Sequence, residues 1–250
     1  MNPVDKTPYA RSFLDAGEEY ERYRPGFPTA AVEVFAPVPV AGILDLGAGT
    51  GKLTRKLTGR ARTVVAVDPS GPMLAQLRRV CPGVDARIGT AEDIPLEDAA
   101  VDVVTVAQAF HWFDRDAACA EMRRVLRPAG AMALVWNVTD SDCAWDVACG
   151  HIAHPHLEGP VPDQRVDPEF DDLPGFAPVR SAWVRWAEDL PRADYLHRWA
   201  TVSSMLIASP EERADRLARM EAVLDADPET RGRTVLHLLT ATQVLVYRRA

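Results

Sequence analysis

The chain is predicted to be an α/β protein built on a doubly wound, mainly parallel sheet, and three observations predict it. Short apolar runs alternate with amphipathic segments up to about residue 137. One run, Ile43-Leu44-Asp45-Leu46, passes into Gly47-Ala48-Gly49-Thr50-Gly51 and then into a helix-like segment from Lys52. The following run, Thr63-Val64-Val65-Ala66-Val67, ends at Asp68-Pro69-Ser70. A strand, a tight glycine turn and a helix, followed by a second strand ending in an acid, is how such sheets present backbone N–H groups and a carboxylate to a ligand.

Each element has its own signal. Thr29 to Phe35 reads as a helix with Ala31, Val34 and Phe35 on one face. Ser70 can cap a helix with Pro72 in its first turn, and Met73, Leu74 and Leu77 repeat at helical spacing until Cys81-Pro82-Gly83 stops them. Asp85 to Ile88 and Val101 to Val106 are the third and fourth strands. Ala118, Met122 and Val125 carry a helix that Arg127-Pro128-Ala129-Gly130 ends, and Ala131 to Trp136 is a fifth strand. This alternation implies right-handed crossovers and a sheet covered on both faces. Beyond Asn137, six prolines between residues 150 and 178 argue for a mobile cover over 141–177, with a short helix near Cys143 to Cys149. A strand over Val179 to Trp186, helices over Asp194 to Ile207 and Glu211 to Leu224, and a last strand over Thr234 to Tyr247 complete the chain. The expected divisions are 1–28 as a covering segment, 29–140 as the core, 141–232 as lid and cap helices with one core strand, and 233–250 as the final strand.

Composition narrows the function. The 250 residues are 47% hydrophobic and 26% charged, as in ordinary soluble enzymes. A net charge of −8 provides no basic field for a nucleic-acid partner. No run of 18 apolar residues occurs and the first residues lack a signal-peptide core, so a cytoplasmic protein without a membrane partner is expected. Cys81, Cys119, Cys143 and Cys149 lack C-x-x-C spacing and are expected as free thiols. Asn137-Val138-Thr139 matches a glycosylation sequon, which has no meaning without secretion.

The glycine loop is neither of two common phosphate-binding motifs. Lys52 stands where a dinucleotide fingerprint needs its third glycine, and Leu53 follows Gly51-Lys52 where a P-loop needs Ser or Thr. What remains is D-x-G-x-G-x-G from Asp45 to Gly51. Asp68, 17 residues after Gly51, stands where a nucleotide-binding sheet places its ribose-binding acid. Gln108, His111 and Trp112 follow the fourth strand, where a substrate would meet a cofactor. His151, His154 and His156 do not match metal-ligand spacing and Pro155 interrupts them, so no metal is expected.

The loop resembles the first motif of class I S-adenosyl-L-methionine-dependent methyltransferases. Tyr20-Glu21-Arg22-Tyr23-Arg24-Pro25-Gly26-Phe27-Pro28, Gln108 to Asp114 and Leu126 to Gly130 are similar to a small-molecule subfamily of trans-aconitate methyltransferase-like and bacterial tailoring enzymes. That family usually carries a second glycine where Ala129 stands. The resemblance implies a Rossmann-like sheet of seven strands, the last antiparallel, with an inserted lid or cap. It implies S-adenosyl-L-methionine as cofactor, held by Asp45, Gly47, Ala48, Gly49, Thr50 and Gly51, and by Asp68, Pro69 and Met73. Thr90, Ala91 and Glu92 would lie beside the adenine, Tyr20 and Arg24 at the methionine end, and Gln108 at the cofactor's edge. Phe110, His111, Trp112, Trp136 and Trp145 are expected around a small-molecule acceptor, with His111 as base or orienting donor. O-methylation in a monomer or homodimer is the expectation. N- or C-methylation, a natural-product cyclase, or a binding protein without methyl transfer are the alternatives.

Overall fold

The computed structural model describes residues 22–155 and 172–250. Its elements in order are α1 (Thr29–Phe35), β1 (Val40–Leu46), α2 (Thr54–Leu57), β2 (Ala61–Asp68), α3 (Gly71–Val80), β3 (Asp85–Ile88), β4 (Val101–Ala107) and a 3-10 turn (Phe110–Trp112). There follow α4 (Arg115–Val125), β5 (Leu126–Thr139), α5 (Ala144–Ala153), β6 (Phe176–Pro191), α6 (Arg192–Ala200), α7 (Ser203–Leu206), α8 (Pro210–Ala226) and β7 (Val235–Arg249). The seven strands form one sheet in the order β3-β2-β1-β4-β5-β7-β6. The first five are parallel, and β7 runs antiparallel to both β5 and β6.

The period-two alternation of the strands sorts side chains onto two faces. Leu44, Leu46, Val104, Val106 and Leu134 share one core with Met122 of α4. Ile43, Val103, Ala133 and Val135 share the other with Phe35 of α1 and Leu57 of α2. Both faces of the central strands are thus dry, which is why β1 and β4 read as unbroken apolar runs. The Ser70 cap forms as its position suggested, the hydroxyl accepting from Met73 N at 3.3 Å.

A third core builds a cap. Residues pair between β6 and β7 from Phe176↔Arg249 to Pro191↔Val235, but β5 accompanies β7 only as far as Thr139↔Thr240. The β6–β7 ribbon therefore projects beyond the sheet and carries α5, α6 and α8, which bury Trp145, Cys149, Tyr195, Met220, Leu224 and Leu238 together. α5 falls where a short helix was expected near Cys143 to Cys149 and extends beyond it. α5 is a packed cap helix, because Trp145, Cys149 and Ala153 recur on one buried face. Residues 156–171 lie outside the described residues.

Two other boundaries differ from expectation. β5 begins at Leu126 rather than Ala131, because Pro128-Ala129-Gly130 makes an irregularity in the strand, where the β4–β5 register shifts between Val101 and Val103, instead of a stop before it. The helix expected over 194–207 divides at Thr201, whose carbonyl accepts from Arg24 Nη2 at 2.9 Å rather than continuing the helical ladder.

Ala129 sits at φ +62°, a left-handed conformation that suits glycine. Ala129→Gly, at this exposed position, is expected to raise the unfolding free energy by about 1 kcal/mol. Urea titration with an unchanged slope checks it, and a lower midpoint would contradict it.

Candidate active site

β1 ends at Asp45 and Leu46, and the chain must then turn sharply to start α2. Gly47 takes φ +68°, and a Cβ there would stand 2.7 Å from that of Ala109, so the loop lies against the segment that follows β4. Gly47 N and Ala48 N both donate to Val67 O, at 2.8 and 3.1 Å. Gly49 N donates to Asp68 Oδ2 at 2.9 Å, and Ser70 N donates to Asp68 Oδ1 at 2.8 Å. Burial raises the Asp68 carboxyl above its ordinary range, and these two N–H groups oppose the shift. Asp45 is deeper. Its oxygens accept from the hydroxyls of Thr54 at 2.6 Å and Thr105 at 3.0 Å, yet burial still lifts its pKa to about 6.

The loop opens on a cavity of about 660 Å³ at the carboxyl ends of the parallel strands. Asp45, Gly47, Ala48, Gly49 and Thr50 line it from β1 and its loop, and Asp68, Pro69 and Met73 from β2 and α3. Gln108, His111 and Trp112 line it after β4, together with Phe113, and Arg24 lines it from the N-terminal segment. Gln108 holds φ +56°, and its Nε2 donates to Asn137 O at 3.0 Å. The His111 ring packs between those of Trp112 and Trp136, at centroid distances of 4.4 and 5.3 Å.

Several expected residues are placed elsewhere. Gly51 packs on Leu77, and a Cβ there would stand 3.0 Å from its Cγ. Ala91 and Phe110 are buried in the core beneath the sheet. Thr90 is exposed, and neither it nor Glu92 is among the lining residues. Glu92 Oε1 accepts from Asp114 N at 2.9 Å, so this carboxylate is taken up at the start of α4. Trp136 supports His111 from behind without lining the cavity, and Trp145 is a cap-core residue packed edge-on against Tyr195. Tyr20 lies outside the described residues.

The sequence reading missed the other half of the wall. Asn137, Val138 and Thr139, the sequon set aside as meaningless, all line the cavity. Asn137 Nδ2 donates to Gly26 O at 2.8 Å, and Thr242 Oγ1 donates to Asn137 Oδ1 at 2.6 Å. Asn137 thereby ties the Arg24–Phe27 segment to β5 and β7. From the cap come Asp146, Tyr195, Arg198 and Trp199. His151, which is exposed, and His154 also line the cavity, while His156 lies outside the described residues. Helical periodicity around Cys149 marks α5, but only the projection of the β6–β7 ribbon brings it over the strand ends.

Comparison with known proteins bears on this geometry. The family described as a methyltransferase domain matches residues 44–134, from β1 through β5. An uncharacterized methyltransferase of Mycobacterium tuberculosis is 40% identical over 217 residues, covering 87% of each chain. The chain belongs to the methyltransferases. A second relative, an uncharacterized methyltransferase of Schizosaccharomyces pombe, is 33% identical over 228 residues, covering 89% of this chain and 90% of its own. A solved structure from Anaeromyxobacter dehalogenans, described as a type II methyltransferase, superposes with a TM-score of 0.66 at 26% identity, covering 90% of this chain and 97% of that one.

The methyltransferase takes S-adenosyl-L-methionine as its cofactor, and the residues present fit that group. The hydroxyl of Thr50 is buried at the cavity wall without a hydrogen-bond partner among the described residues, as a site built for a polar ligand requires. A Cβ at Gly49 would approach Met73 Sδ to 3.6 Å in a left-handed backbone, so this cradle is left open by glycine. Asp68, Thr50, Met73 and the loop N–H groups are the residues that would hold the cofactor.

Asp68→Ala is expected to weaken S-adenosylhomocysteine binding by roughly 10²–10⁴-fold in calorimetry, since it removes about two charge-assisted hydrogen bonds. Unchanged affinity would remove Asp68 from the site. Asp45 makes a pH prediction. Its folded pKa of about 6 lies above its unfolded value of 3.8, so the folded state binds the proton more tightly. Its contribution to stability is fully present below the unfolded pKa and is lost as pH rises through about 6. Denaturation curves from pH 4 to pH 8 should show this component in the wild type and not in Asp45→Asn.

Proposed function

We propose that this methyltransferase transfers a methyl group to an oxygen of a small-molecule acceptor. The observation that carries the reading is that one cavity is shared between the glycine loop and the cap. Its volume of about 660 Å³ is in the range of small-molecule sites, and apolar groups such as Phe27, Leu53, Trp112, Val202 and Leu238 dominate its wall. The acidic chain offers no field for a nucleic acid, which supports a small acceptor further. Asp146 and Tyr195 of the cap and Thr240 of β7 each bring an oxygen to the cavity wall, suited to a hydroxyl partner.

When bound, the cofactor supplies an electrophilic methyl on a sulfonium centre. The protein contributes alignment and a dry setting. The Gly47–Gly51 loop and Asp68 fix the donor side, and the cap helices fix the acceptor side and exclude water. Such alignment is worth up to about 7–11 kcal/mol in effective molarity. His111, held between two tryptophans, is suited to orienting the acceptor through a hydrogen bond, the second of the two roles its position allowed.

The test incubates the protein with methyl-labelled donor and a panel of hydroxyl, carboxyl, amine and carbon acceptors, then follows labelled product and S-adenosylhomocysteine. Methylated oxygen acceptors are expected, and label carried only to nitrogen or carbon would overturn the reading. His111→Asn is expected to raise the Michaelis constant more than it lowers turnover, with cofactor binding intact. Wild-type kinetics in that variant would remove His111 from the acceptor site.

A further inference from the structure

Asp146 is a carboxylate on α5 that the mechanism above leaves unused. It is 5% exposed, and it lines the cavity on the cap side. Tyr195 Oη donates to its Oδ1 at 2.7 Å, and the Thr139 hydroxyl at the end of β5 bonds to it as well. Both partners are neutral. Among the described residues Arg198 acts on Asp146 through space, and it pairs with Glu188 at 2.8 Å. Buried charges are ordinarily paired, because desolvation of a lone carboxylate costs several kcal/mol. Asp45 is likewise held by two hydroxyls but stands beneath the glycine loop, whereas Asp146 lies on the cap side, where a group entering the cavity can give it a proton.

We infer that Asp146 is the proton acceptor of this methyltransferase and that its substrate is a phenol or enol. The inference deepens the proposed oxygen methylation and rests on it. In the step, the acceptor oxygen forms its bond to the donor methyl as the carbon–sulfur bond breaks and leaves its electron pair on sulfur. The hydroxyl proton passes to Asp146, which becomes a neutral acid and later returns the proton to solvent. The positive charge of the sulfonium and the negative charge of the carboxylate vanish together, so the balance needs no further reactant.

The same geometry selects among acceptors. A carboxylate acceptor would meet Asp146 as a like charge in a desolvated site. An amine would enter as its ammonium, paired with Asp146 and lacking the lone pair that methylation needs. A phenol, with a pKa near that of tyrosine at about 10, enters neutral and needs one base. Trp112 and Phe113 from the segment after β4 and Trp199 from the cap give the cavity aromatic surface that suits its ring. The charged and titratable groups around Asp146 include Tyr195 and Arg198 of α6, Glu188 of β6, Cys143 and Cys149 beside it in sequence, and His151 and His154 at the end of its own helix, which line the same cavity. Burial raises the carboxyl above its ordinary range, and the hydrogen bonds from Tyr195 and Thr139 oppose the shift. Tyr195 is itself pushed well above its usual pKa and stays a donor.

The experiment compares wild type, D146N and Y195F with labelled donor and three probes of one skeleton, p-cresol, p-toluate and 4-methylbenzylamine. Wild type should methylate p-cresol, and D146N should lower that turnover by roughly 10²–10⁴-fold. S-adenosylhomocysteine affinity should stay within about twofold, which also shows that D146N is folded. Turnover of wild type should rise with pH as Asp146 ionises. Y195F removes a hydrogen bond that lowers the Asp146 pKa, so its rise should lie at higher pH. D146N with wild-type turnover, superposable pH profiles for Y195F and wild type, methylation of p-toluate or 4-methylbenzylamine in preference to p-cresol, or a wild type that binds S-adenosylhomocysteine yet methylates none of the probes would each overturn the inference. A wild type that fails to bind S-adenosylhomocysteine would overturn the reading beneath it.

Discussion

The hydrogen bond from Gly49 N to Asp68 Oδ2 joins the ends of two adjacent strands, and the site depends on it. Parallel strands leave their carboxyl ends side by side, so the loop after β1 and the acid after β2 meet without any long-range construction. The loop must take left-handed backbone at Gly47, Gly49 and Gly51 to reach that acid, which is why side chains are absent there. Asp68 in turn is held by Ser70 N, whose own side chain caps α3. Loop, acid and helix start form one hydrogen-bonded unit.

A second constraint fixes the acceptor side. β6 and β7 are 16 and 15 residues long, and β5 pairs with β7 only through Thr139. The unaccompanied ends of the ribbon cannot bury both faces alone, and the cap helices close over them with a core of their own. That cap hangs over the strand ends and carries Asp146, Tyr195, Arg198 and Trp199 to the cavity. Arg198 Nε donates to Tyr23 O, and Arg24 Nη2 donates to Thr201 O, so the N-terminal segment and the cap hold each other. The cavity is a joint product of sheet, cap and N-terminal strap.

Much of this was legible in the residues. The glycine spacing, Asp68 and the apolar runs gave the core sheet because they are local signals, set by backbone conformation and by period-two burial. Met73, Gln108, His111 and Trp112 line the cavity for the same reason, since they lie shortly after strand ends. Glu92 does not. A polar turn beside a strand offers a carboxylate to any nearby donor, and the start of α4 supplies Asp114 N at 2.9 Å. Trp136 and Trp145 failed similarly, because an aromatic's packing partner is not written near it in the chain.

The sequence by itself determined the doubly wound sheet, the donor loop and its acid, and the family to which they belong. These rest on interactions between neighbours along the chain or between consecutive strands. Only the tertiary structure decided which side chains the cap brings to the cavity. Asp146 and Tyr195 are 49 residues apart, and Asn137 meets Gly26 across 111. Such contacts follow from where the β6–β7 ribbon carries the cap, and a buried carboxylate is recognised only by its surroundings. On the page of residues, Asp146 is one acid in an apolar helix. In the fold it is a desolvated group held by two hydroxyls at the cavity wall.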